Sequence, residues 1–73
     1  MSSIAAIGEH GAVEAFVLGG VAVTTADDAV AVHAAWDRLG ADVAVLILSP
    51  RAAGILATER EQRPDLLWAV LPA

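Results

Sequence analysis

The stretch DVAVLILSP, Asp42 to Pro50, decides how the rest of this chain is read. Val43 through Leu48 is an unbroken apolar run with β-branched residues at Val43, Val45 and Ile47. Asp42 stands in front of it and the breakers Ser49 and Pro50 behind. A run this short that does not alternate reads as a strand apolar on both faces, as strands in the middle of a parallel sheet are. A strand with one wet face would alternate. The run is therefore expected to be a central strand with helices on each side.

Working outward, the same grammar recurs. Ile4 to Ile7 is a first short strand closing on Gly8, followed by the loop residues Glu9, His10 and Gly11. Ala12 to Leu18 has helical spacing, with Val13, Phe16 and Val17 at i, i+3 and i+4 as one inward stripe. Gly19 and Gly20 end that helix, and one of them suits the left-handed cap position. Val21 to Thr24 is the second strand. Thr25-Ala26-Asp27-Asp28 has the form of a capping box with Thr25 as N-cap, and the two acids suit the first turn of a helix. That helix is expected to run to Leu39, burying Ala29, Val32, Trp36 and Leu39, before Gly40 stops it. Ser49 and Pro50 then read as an N-cap followed by proline at the first helical position. Ala52, Ala53, Ile55 and Leu56 form the inner face of the third helix. Pro64 ends the polar stretch after it, and Leu66 to Leu71 is a fourth strand.

The order βαβαβαβ calls for a parallel sheet joined by right-handed crossovers. The expected fold is a small doubly wound α/β domain spanning residues 1–73, with four parallel strands in the order 2-1-3-4, a receiver- or flavodoxin-like half fold with helices on both faces. Its fourth strand is an apolar edge with nothing in the sequence after it to cover it, and such edges invite pairing with another chain.

Composition narrows the function. Of the 73 residues 58% are hydrophobic, and the mean hydropathy is +0.67. A chain this short buries only about 60% of its unfolded surface, so the excess apolar area is covered by the domain's own helices, is alanine tolerated outside, or is buried against a partner, the reading favoured here. Nine acids against four arginines (Arg38, Arg51, Arg60 and Arg63) give a net charge of −5, which argues against binding a phosphate backbone. With no cysteine there is no disulfide frame, thiolate nucleophile or cysteine zinc site. MSSIAAIGEH lacks the basic and long apolar regions of a signal peptide, and no apolar run approaches the ~20 residues of a membrane helix. A cytoplasmic location without membrane insertion is expected.

An open α/β sheet carries its reactive groups at the carboxyl ends of the strands. Glu9, His10 and Ser49 gather there, and a hydrolytic set is one reading of them. Ser49 before Pro50 is explained more economically as a cap, and Glu9 and His10 as loop residues. Gly8-Glu9-His10-Gly11 lacks the spacing of a phosphate-binding loop, and the chain has no lysine. A phosphotransfer receiver needs an acidic pair, an aspartate and a lysine, and finds Glu9-His10, Ser49 and none. His33 and His10 do not make a metal site. The residues thus point to a binding module without catalytic residues, cofactor or metal.

One family resemblance covers nearly the whole chain. IAAIGEHGAVEAFVLGGV, residues 4–21, resembles the opening of the F subunit of the V-type and archaeal-type rotary ATPases. Ile7-Gly8-Glu9 matches that family's strand ending, and Val13, Phe16, Leu18, Gly20 and Val21 fall in register with its following stretch. The resemblance continues through Thr25 with its acidic helix start, the Asp42–Leu48 strand and the late Val70-Leu71-Pro72. It implies a non-catalytic component of the central stalk that docks on the coiled-coil rotor, the D subunit, and helps couple ATP turnover or synthesis to proton or sodium transport. Such a component is cytoplasmic and peripheral to a membrane complex. Glu9, Val13 and Phe16 are the expected contact residues. Two departures stand out. Ala15 replaces the family's glycine before the phenylalanine, and the sequence stops at Ala73 where the family continues into a C-terminal helical segment. The alternative expectation is a phosphotransfer-dead, receiver-like regulatory module that self-associates, as a homodimer, through its fourth-strand edge.

Overall fold

The computed structural model describes residues 3–72; Met1, Ser2 and Ala73 lie outside the described residues. Strands β1 (Ser3–Gly8), β2 (Ala22–Thr25), β3 (Val43–Leu48) and β4 (Leu67–Val70) form one sheet in the order β2-β1-β3-β4, and every pairing is parallel. Helices α1 (His10–Val13), α2 (Ala29–Asp37) and α3 (Pro50–Ile55) provide the crossovers, with 3₁₀ segments at Glu14–Gly19 and Glu59–Gln62. The expected alternation and strand order are both present.

Handedness decides where the helices lie. The step from β1 to β2 runs one way across the sheet, and the steps to β3 and β4 run the other. Right-handed crossovers therefore put α1 on one face and α2 with α3 on the opposite face. The main core lies under α2 and α3. Ala5 and Ile7 of β1 and Leu46 and Leu48 of β3 alternate onto that face and pack with Val32, Ala35, Trp36, Ala52, Leu56 and Leu66. Fully burying one such leucine contributes about 1.5–3 kcal/mol.

Local chemistry corrects two expected details. Helix α2 starts later than the capping-box pattern implies, because Thr25 continues β2 and the N-cap is Asp28, whose Oδ1 accepts the Ala31 N–H at 2.7 Å. The first helix is only one turn long and tightens into the 3₁₀ segment. At three residues per turn, position 17 rotates about 120° away from positions 13 and 16. Val13 accordingly stays buried and Phe16 half-buried, while Val17 is 59% exposed. Gly20 closes this segment at φ 76°, the left-handed conformation expected of the Gly19-Gly20 pair.

Candidate functional site

The carboxyl ends of β1, β2 and β3 meet where the strand order reverses, between β1 and β3. Gly8 is the pivot. A Cβ there would lie 2.9 Å from Ser49 Cβ, Ser49 Oγ and Val13 Cγ1, so only glycine lets the three segments close together. The backbone extends both ladders past this point: the Ala26 N–H donates to the Gly8 carbonyl at 2.8 Å and the Ser49 N–H to the Ile7 carbonyl at 3.3 Å.

Ser49 is fully buried and doubly used. Its Oγ accepts the Ala52 N–H at 3.2 Å, capping α3 as the sequence indicates, and donates to Glu9 Oε1 at 2.7 Å. His10 turns to its own helix, with Nε2 2.9 Å from Glu14 Oε2, and its backbone N–H donates to Asp27 Oδ1 at 3.3 Å. The structure therefore joins Ser49 to Glu9 and sends the imidazole elsewhere. A serine activated by a histidine base needs those two groups bonded to each other. Among the described residues, no group of three or more acids and histidines could hold a metal ion.

The expected contact residues divide. Glu9 is half-buried, with one oxygen on Ser49, and Phe16 is half-buried on the 3₁₀ segment. Val13 has 0% of its surface exposed, which corrects its place among residues a partner could touch. It packs at Gly8 and shapes that surface from beneath.

A larger feature lies on the α1 face. Helix α1 and its 3₁₀ continuation sit against β1 and β2. The register aligns Ile4 with Val45 and Leu67, and Ala6 with Ile47 and Ala69. These residues point away from α2 and α3, and no described helix covers them over β3 and β4. Ala6 is buried, but Val45 and Ile47 are only half-buried, Ile4 is 45% exposed and Leu67 64% exposed. So β3, the central apolar strand, is roofed by helices on one face and partly open on the other. That β3 is apolar on both faces can be read from its sequence; which half stays open follows from crossover handedness.

On the roofed face, two tryptophans distant in sequence meet. Trp36 and Trp68 stack edge to face at 6.0 Å, with the Arg60 guanidinium 5.1 Å from the Trp68 ring. Trp36 Nε1 donates to Gln62 Oε1 at 3.3 Å. A cavity of about 600 Å³ opens beside Trp36, bounded by Leu39, Val43, Arg63 and Asp65. Arg63 closes its margin by donating to the Leu39 and Gly40 carbonyls at 3.4 and 2.8 Å.

No helix of the described residues is long and apolar enough to cross a membrane. Comparison with protein-family models, curated proteins and solved structures gives no match.

Proposed function

We propose that this chain is a non-catalytic docking component of a V- or A-type ATPase, resembling the F subunit and seated on the rotor's D subunit in the central stalk. In that role it helps couple ATP turnover or synthesis to proton or sodium transport from the cytoplasmic side of a membrane complex. The observation that carries a docking role is the open apolar half of the sheet, where Ile4, Val45, Ile47, Leu67 and Ala69 lie without a described helix over them. Apolar surface gathered in this way marks an interaction site more than scattered residues do. The polar groups favour the same role: Ser49 is committed to a cap and to Glu9, and His10 to Glu14. The assignment to a rotary ATPase rests on the resemblance of residues 4–21 and the later segments in order.

The test is co-purification with a cognate rotor D subunit. A one-to-one complex, weakened by Phe16→Ala or charge reversal at Glu9 in variants whose fold is intact, is expected. Failure to bind the rotor removes the stalk role. One observation favours a second reading, self-association: β4 is an edge strand with Leu67 and Val70 both exposed. A concentration-dependent homodimer without rotor binding would select it.

A further inference from the structure

The open half-face has dimensions that select its occupant. It spans β3 and β4 and, at Ile4, the start of β1; neighbouring strands lie about 4.8 Å apart, so the strip is about 10 Å wide at that end. An α-helix with its side chains is about 10–12 Å across. The six residues of β3 run for roughly 20 Å, the length of about 13 helical residues. Helix α1 and its 3₁₀ continuation, against β1 and β2, form a side wall to this strip.

Charge is sorted between the two faces. All four arginines lie on the roofed side or its connections: Arg38 caps α2, Arg51 is in α3, Arg60 is in the Glu59–Gln62 segment and Arg63 caps that segment. Two are occupied there, Arg60 on Trp68 and Arg63 on backbone carbonyls. The α1 side carries the carboxylates of Glu9 and Glu14, and its basic group among the described residues, His10, is bonded to Glu14. Asp42 stands at the foot of β3, accepting from Ser3 Oγ at 2.9 Å. The strip is apolar, with carboxylates at the α1 wall and at the foot of β3, where Arg63 is held on the Gly40 carbonyl. A second copy would bring the same acids, and Arg63, the arginine at the foot of β3, is already held by the Leu39 and Gly40 carbonyls.

We propose that this strip receives one amphipathic helix from a partner protein, with an apolar stripe seated on Ile4, Val45, Ile47, Leu67 and Ala69 and lysine or arginine along its flanks. The inference rests on the docking role proposed above and supplies its surface and the chemistry of its occupant. Opposite charges at the rim guide orientation and association rate, while the apolar centre holds the complex.

The test titrates the whole chain, isotope-labelled, with two synthetic helical peptides of about 15 residues. They share a leucine stripe, and one carries lysine flanks and the other glutamate flanks. The lysine peptide is expected to shift resonances of Ile4, Val45, Ile47, Leu67 and Ala69 and to bind at least about tenfold tighter than the glutamate peptide. Its affinity should fall several-fold on raising salt from about 0.1 to about 0.5 M, because the rim charges are exposed. Leu67→Ser and Ala69→Arg, both at exposed positions, should each weaken binding about tenfold while leaving the circular dichroism and melting curve of the chain unchanged. Equal binding of both peptides, shifts confined to α2 and α3, no binding of the lysine peptide, or a homodimer that buries the strip would each overturn the proposal. If the rotor D subunit still binds in those cases, the stalk role stands and only this surface is wrong.

Discussion

Gly8→Ala tests the close approach on which the strand-end junction depends. The added Cβ would sit 2.9 Å from three heavy atoms: Ser49 Cβ, Ser49 Oγ and Val13 Cγ1. None lies at the end of a flexible side chain. Ser49 is pinned by its cap on Ala52 and its bond to Glu9, and Val13 is a buried β-branched residue. Ordinary contact between carbons is about 3.5–4.0 Å, so the two carbons must give by more than about half an ångström, and the smaller oxygen by less. Overpacking of this kind costs about 1–3 kcal/mol. Where space is free, the same substitution stabilises by about 0.4–1 kcal/mol through the unfolded chain. The sign of the effect therefore discriminates. A domain of 73 residues is stable by roughly 4–11 kcal/mol, so the loss is a large share of the whole. With a urea slope near 1 kcal/mol/M, typical of the smallest domains, the midpoint should fall by about 1–3 M. Val13→Ala removes one of the three contacts, so the double variant should be more stable than the sum of the singles. An unchanged or raised midpoint for Gly8→Ala would refute the packing argument.

Three further substitutions probe separate elements. Asp28→Ala should cost about 1 kcal/mol by removing the cap on Ala31, and Thr25→Ala should cost less, in paired thermal melts; the reverse order would restore Thr25 as the cap. Ser49→Ala should cost about 0.5–2 kcal/mol through loss of the α3 cap and leave any ester turnover of the preparation unchanged, since His10 is bonded to Glu14; turnover that disappears with Ser49 would revive a hydrolytic role. Trp36→Ala should cost about 3–5 kcal/mol, whereas Trp36→Phe keeps most of the packing and loses mainly the bond to Gln62, about 0.5–1.5 kcal/mol, both read by urea unfolding.

What can be read from the sequence follows a physical division. The Val43–Leu48 run, the Ser49-Pro50 start of α3 and the 2-1-3-4 order depend on local patterns and on handedness, and all three are present. The start of α2 is ambiguous in sequence because Thr25 and Asp28 are both cap-forming residues. Pairing of Gly8 with Thr25 at the end of the β1–β2 ladder decides it, and that is a tertiary fact. The tightening after Val13 is hidden because Val13, Phe16 and Val17 satisfy an α-helical stripe equally well. The Ser49–Glu9 bond joins residues 40 apart, and the Trp36–Trp68 contact joins two distant helix and strand positions. No periodicity carries such pairs. Of the expected contact residues, Glu9 and Phe16 keep some surface and Val13 keeps none, because Gly8 lets the one-turn helix sink onto the sheet.

The most direct measurement of the central claim is light scattering of the chain alone and mixed with a cognate rotor D subunit. A monomer that converts wholly into a one-to-one complex is the result a stalk component must give. A chain that stays out of the complex, whether as a monomer or as a stable homodimer, would contradict it.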